Sequence, residues 1–394
     1  VPRSLPVRAP ARAFARALTW PFTAAALFAA LAAADAGAAR SVAERLVPVL
    51  GFAAGMSVVV NLASAAGAFE AVTGWMERRA PSAGALWAGF IGLCVLSTVF
   101  LSLDTTAIML TPLAVAVARR SGLGVPSLAL AVVWIANLAS LPLPVSNLTN
   151  LLALGGGAFG STHDYARHAW APAAAGVAVA VAASFVVRLA DHRRSPGTPS
   201  ASAGGGSHPA LTRRALAVLG VTLPALLTPL PYWATSSAAA VAMALAVGVG
   251  KRGALPASPV SWLPLIPWSS LALAAALSAA ATLGGALGLT AGFVDILRGA
   301  GPLTLAGAGA VAANAINNLP AYLALEPAAS GADGSLALLV GVNLGPLVTP
   351  WASLATLLWH DQLTRAGVHL SWARYAAWGA VLAPVAVAAA AATI

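Results

Sequence analysis

The sequence predicts an all-α polytopic membrane protein of two inverted repeats, each with a re-entrant helical hairpin and a broken transmembrane helix. Three observations predict it. Charged residues make up 8% of the chain and hydrophobic residues 59%, whereas a soluble domain carries about 25% charged residues, so this chain cannot cover itself for water. The apolar residues come in segments at or above the ~20 residues that a bilayer span needs. Polar, proline-containing interruptions also recur at corresponding places in the two halves, which is the sequence pointer to a transporter site at the midplane.

The same composition excludes several classes. A net charge of +10 and a pI near 11.3 would suit a nucleic-acid binder, but the arginines sit in short loops between apolar spans, where positive-inside bias puts them. The single cysteine, Cys94, lies inside an apolar run, where it can form neither an intrachain disulfide nor a thiolate metal site. The Gly-rich stretches at 155–157 and 204–206 lack the strand–helix context and the lysine of a phosphate loop. No nucleophile–base constellation is visible, so no enzyme activity, ATP hydrolysis, cofactor or metal is expected. The arginine-rich start, VPRSLPVRAPARAFARAL, runs into an apolar stretch without a clear small-residue cleavage site and reads as a retained first span.

Apolar segments fall near 17–34, 46–72, 85–118, 126–158, 170–190, 214–231, 232–250, 265–290, 302–327, 335–359 and 374–393. Between them, residues 191–213 form a Gly/Ser/Pro-rich linker with basic ends. This divides the chain into a first repeat at 1–190 and a second at 214–394. The segment 85–118 is too long for one span, too short for two with an aqueous turn, and polar at its centre (Ser102, Asp104, Thr105, Thr106). A hairpin that turns at mid-membrane fits, since irregular backbone is tolerated there when protein or a cavity covers it. The segment 302–327 has the same character, with Asn314, Asn317, Asn318 and Pro320 at its centre. The two broken spans carry SLPLPVSNLTN at 140–150 and NLGPLVTPWAS at 343–353.

Arginine placement supports two hairpins. With both, one side of the membrane collects Arg3, Arg8, Arg12, Arg16, Arg78, Arg79, Arg119, Arg120, Arg188, Arg193, Arg194, Arg213, Arg214, Lys251, Arg252, Arg365 and Arg374, and the other only Arg40, Arg45, Arg167 and Arg298. With either hairpin read as a single span the separation collapses. The rich side reads as the cytoplasm, which gives a multi-pass protein of the cytoplasmic (inner) membrane with its N-terminus inside. A complete unit crosses five times, an odd number, so the repeats must be inverted. The first half lacks one leading span of the second, which suggests that the chain starts late or has lost a helix.

Asp104 is the sharpest functional signal, the one acid in the middle of an apolar segment. A carboxylate at the bilayer centre costs about 2.5–3.5 kcal/mol on insertion scales, and intramembrane acids are functional by default. The candidate role is proton coupling, with cation carriage or substrate acceptance as the other functional readings, against a structural acid that accepts hydrogen bonds from the hairpin turn. The candidate substrate-binding residues are Thr105, Thr106, Ser146, Asn147, Thr149 and Asn150 in the first half and Asn317, Asn318, Thr349 and Ser353 in the second, with Asn314 and Thr356 beside them. Half-helix N-termini and unwound carbonyls would complete a neutral hydrogen-bonding pocket. Against this, Ser and Thr also back-bond to their own helix or pack helices together.

The stretches LDTTAIMLTPLAVAV (103–117), ANLASLPLPVSNLTNLL (136–152), INNLPAYL (316–323) and NLGPLVTPWASLATLLWHDQL (343–363) resemble the arsenite/antimonite efflux permeases, the ArsB-like family of the ion-transporter superfamily. The resemblance runs from about Trp20 to the C-terminus. It implies an elevator-type fold in which hairpin tips and broken helices form the substrate site, and export of arsenite or antimonite in exchange for protons. It also implies work alone or with a separate arsenical-pump ATPase subunit; a homodimer is a further candidate assembly. Two departures stand out. Leu103 occupies the position before the acid where the family commonly has Asn, and the family's first helix has no counterpart here.

At neutral pH arsenite is mostly an uncharged trihydroxide, which suits Asn, Ser and Thr around one titratable acid. The rivals are a sodium-coupled dicarboxylate or citrate transporter and a sodium–proton antiporter of the same superfamily. No Arg or Lys lies in either hairpin tip or break, which counts against an anionic substrate, although helix N-termini bind anions unaided. A non-transporting membrane scaffold is disfavoured, because broken helices need a cavity to line.

Overall fold

The computed structural model describes residues 10–192, 209–248 and 265–394, and every regular element among them is helical. Two long helices open the chain, α1 (Pro10–Ala34) and α2 (Ala36–Ala65). Asp35 separates them because its Oδ1 accepts the Ala38 N–H at 2.9 Å and caps α2. The span read over 46–72 is divided differently: α2 ends at Ala65, and Gly67, at φ 76°, turns the chain into α3 (Ala68–Arg79). Glu70 in the first turn of α3 and Arg78 and Arg79 in its last complement its dipole.

The first hairpin follows as α4 (Ala83–Leu101), a single turn α5 (Leu103–Thr105), a π-helical turn over Thr106–Leu110, and α6 (Thr111–Ser121). Pro112 has no N–H to give to the turn below, which favours the wider winding there. The first broken span is α7 (Val125–Leu138) and α8 (Leu148–Gly155), and α9 (Thr162–His192) closes the half. The second half repeats the order. Helices α10 (Pro209–Ala225), α11 (Tyr232–Gly248) and α12 (Trp268–Ala286) lead through the short α13 (Ala291–Leu297) to a hairpin of α14 (Pro302–Ile316) and α15 (Asn318–Leu325). A broken span, α16 (Gly331–Leu344) and α17 (Leu354–Arg365), and α18 (Trp372–Ala391) complete it.

Among the described residues, five helices are long and apolar enough to cross a membrane: Ala36–Ala65, Ala83–Leu101, Thr162–Asp191, Trp268–Ala286 and Trp372–Ala391. With the shorter apolar helices around them, they make a multi-pass membrane protein. Packing is reciprocal between the halves: α2 lies on α11 and α1 on α12, while α9 lies on α18. Small residues allow the close approaches. A Cβ on Gly55 of α2 would fall 2.6 Å from Ser236 Oγ of α11, as expected where membrane helices pack through small side chains. The broken helices α7 and α16 form the centre, buried continuously over 127–138 and 335–344.

Contacts of the arginines gather at two ends of the bundle. At one end Arg120 pairs with Glu77 at 2.7 Å, Arg119 Nη2 donates to the Ala366 carbonyl at 3.1 Å, and the Arg188 guanidinium lies 5.1 Å from the Trp87 ring centroid. At the other, Arg45 pairs with Glu326 at 2.6 Å and donates to the Leu152 carbonyl at 2.9 Å. Most of the linker read over 191–213, at 193–208, lies outside the described residues, as do Arg3, Arg8, Lys251 and Arg252.

Candidate functional site

The two hairpins turn on matched backbone. Ser102, with φ 100° and ψ 159°, separates α4 from α5; Asn317, with φ 90° and ψ 151°, separates α14 from α15. Among the described residues these are the only non-glycine positions with positive φ. Such geometry costs of order 1–3 kcal/mol and persists where the surroundings over-determine it. Each residue caps the helix it starts. Ser102 Oγ accepts the Thr105 N–H at 3.4 Å, Asn317 Oδ1 accepts the Leu319 N–H at 3.2 Å, and Asn317 Nδ2 donates to the Trp351 carbonyl at 2.8 Å.

The broken spans stop at prolines. Pro142 and Pro144 end the α7 direction, and Asn147 restarts helix as the N-cap of α8; Pro346 and Pro350 do the same after α16, and Ser353 precedes α17. The freed backbone is tied to the hairpins. Ser146 Oγ donates to the Val99 carbonyl of α4 at 2.9 Å. In the second half Asn314 does the work: its Oδ1 accepts the Val348 and Thr349 N–H groups, each at 3.1 Å, its Nδ2 donates to the Gly345 carbonyl at 2.8 Å, and its carbonyl accepts Thr349 Oγ1 at 2.7 Å.

Two adjoining cavities lie where these elements meet α2 and α12. The larger, about 100 Å³, has Ser57, Asn61, Ser102, Asp104, Thr105 and Ser270 as its polar lining. The smaller, about 40 Å³, is lined on its polar side by Asp104, Asn147, Asn317, Asn318, Ser353 and Ser270. Asp104 and Ser270 therefore face both, and among the described residues Asp104 is the only ionisable side chain lining either. The N-termini of α8, α15 and α17 all reach the smaller cavity, through Leu148, Asn318 and Leu354. Their dipoles favour negative charge there, although the Asn318 N–H of α15 is already given to the Ala352 carbonyl and the Leu319 N–H to the Asn317 and Asn318 side chains. Ser353 Oγ is buried and without a hydrogen-bond partner in the same lining, the kind of group that a solute or water would satisfy.

Of the site residues expected from sequence, Asp104, Asn147, Asn317, Asn318 and Ser353 come together at the smaller cavity, and Thr105 joins Asp104 at the larger. The others line neither. Thr106 Oγ1 donates to Ser97 Oγ and accepts from Thr98 Oγ1 within the first hairpin. Ser146 and Thr349 hold the breaks to α4 and α14. Thr149 and Asn150 bond to Asn343 at the end of α16. Sequence reasoning missed Ser57 and Asn61 on α2, Ser270 on α12, and Asn343. Ser57 and Asn61, four apart on one helix face, were findable as polar residues in an otherwise apolar span. Cys94 is fully buried in the core, as expected of a packing residue.

Comparison with known proteins gives concordant matches. The family model described as CitMHS, citrate transporter, matches residues 13–356. The arsenical pump membrane protein of Yersinia enterocolitica is 29% identical over 309 residues, 71% of this chain and 70% of that protein. The YdaH transporter of Alcanivorax borkumensis, a crystal structure described as having an unusual topology, superposes with a TM-score of 0.57 over 100% of this chain and 92% of its own. At 17% identity that last likeness concerns the fold alone.

Proposed function

Because the chain belongs to the CitMHS citrate-transporter family, and is thus a secondary transporter of the citrate/arsenical permease type rather than an enzyme, we propose that it exports arsenite or antimonite across the cytoplasmic membrane in exchange for protons. The observation that carries this reading is the lining around Asp104, one carboxylate among amides, hydroxyls and helix N-termini, with no cationic side chain among the described residues. An uncharged trihydroxide can donate to and accept from such groups without a counter-ion. Citrate would bring several negative charges to a carboxylate.

In this scheme Asp104 carries the coupling proton, and Asn147, Asn317, Asn318, Ser353 and Thr105 hold the solute. Thr106, Ser146, Thr149, Asn150 and Thr349 position the hairpins and breaks. The halves 1–190 and 214–394 act as inverted repeats joined by a cytoplasmic linker, and the N-terminus is cytoplasmic. The elements that carry the site slide against α1, α2, α11 and α12. A separate ATPase subunit or a second copy of the chain are candidate partners.

One observation favours the rival. Three helix N-termini converge on the smaller cavity, and a carboxylate substrate would also suit them. Expression in a bacterial host lacking its arsenite pumps decides between the two. Export predicts arsenite resistance and lowered arsenic accumulation, with no citrate or sodium uptake; citrate uptake without arsenite resistance would establish the rival.

A further inference from the structure

Asn343, in the last turn of α16, joins the two halves through a chain of three buried amides. The chain begins at two backbone carbonyls: Asn150 Nδ2 donates to Ser140 O at 2.8 Å and to Leu143 O at 3.1 Å. Carbonyls only accept, so Asn150 must turn its NH2 to them and its Oδ1 away. Asn343 Nδ2 donates to that Oδ1 at 2.7 Å. Asn343 Oδ1 then faces the other way, where it accepts Asn147 Nδ2 at 3.0 Å and Thr149 Oγ1 at 2.6 Å. The second proton of Asn147 Nδ2 points to Ser140 Oγ at 3.4 Å. Amide orientation is assigned from the network, and here the two carbonyls leave a single assignment for all three residues.

We infer that Asn343 is a specificity-determining residue: by holding the Asn147 NH2 inward, it leaves the cavity the second lone pair of Asn147 Oδ1, whose first accepts the Thr149 N–H at 3.4 Å and caps α8. Asn147 then presents an acceptor beside the Asp104 carboxylate. A neutral solute with O–H groups can donate to both. A carboxylate anion, which has only acceptors, meets oxygen at each. Discrimination thus rests on unfavourable pairing as well as favourable contact, and it is set by a residue that lines neither cavity. The inference deepens the arsenite proposal and rests on it.

The test uses the full-length protein in proteoliposomes, with arsenite as solute and citrate as competitor. Asn343→Leu frees Asn147 to turn its NH2 to the cavity. The apparent KM for arsenite should rise several-fold with the maximal rate little changed, the mark of lost solute binding, and citrate should begin to inhibit. Asn150→Leu breaks the chain one link earlier and should do the same. Asn343→Asp as the neutral acid donates its O–H to Asn150 Oδ1 and still accepts from Asn147 and Thr149, so at acidic pH it should keep the wild-type KM and the wild-type indifference to citrate. If all three variants lower activity and melting temperature together without changing the arsenite-to-citrate preference, Asn343 is only structural and the inference is overturned, while arsenite export stands. A wild-type protein that moves citrate but not arsenite, or neither, overturns both.

Discussion

Ser102 and Asn317 occupy equivalent positions in the two halves, each starting the second arm of a hairpin with φ near +90° to +100° and its own side chain capping the helix that follows. The left-handed region favours glycine. Ser102→Gly should therefore fold with equal or higher thermal stability in detergent despite losing its cap. Ser102→Val, with a branched side chain at the same φ, should lose of order 1–3 kcal/mol. Equal melting temperatures for the two variants would show that the turn relaxes and stores no strain.

The Arg45–Glu326 pair ties α2 to the end of the second hairpin, with a further bond from Tyr322 Oη to Glu326 Oε1 at 3.0 Å. Both side chains are largely sheltered, at 21% and 23% exposure. Glu326→Gln should cost about 1.5–3 kcal/mol, the range for hydrogen bonds to a charged group. Replacing both partners by apolar residues, Arg45→Met with Glu326→Leu, should recover much of that loss, because no unpaired charge remains. A double-mutant cycle on denaturation in detergent measures the coupling, and additive losses would show that the pair contributes nothing of its own.

Much of this architecture is legible in the sequence, for reasons that individual residues make plain. Asp104 stands out because a carboxylate inside an apolar run has few structural excuses. The hairpins and breaks are legible because Ser, Asn and Pro interrupt long apolar stretches twice in the same order. The division of labour among the polar residues is not legible. A serine that lines a cavity, such as Ser353, and one that ties a break to its neighbour, such as Ser146, are the same residue type at the same kind of interruption. Only the fold tells them apart. Asn343 closes an apolar run and looks like a helix end, and its bonds reach residues almost two hundred positions away. The first broken span is also easier to place than α2, whose charged first turns, with Arg40, Glu44 and Arg45, hide its continuity with the apolar run that follows.

Orientation in the membrane is open to a direct check. The arginine distribution predicts a cytoplasmic linker and an external C-terminus. Reporter fusions at Gly205 and at Ile394 should report opposite sides. The same side for both would contradict the two-hairpin topology and the inverted relation of the halves.

Proton coupling through Asp104 is the central claim, and the protein in sealed vesicles with an imposed proton gradient tests it most directly. Asp104→Asn keeps the shape of the side chain and its capacity for hydrogen bonds but cannot exchange a proton. The account predicts that this variant inserts and folds, still binds arsenite, and no longer moves it in response to the gradient. Full, pH-dependent arsenite export by Asp104→Asn would contradict it and place the coupling proton on another group.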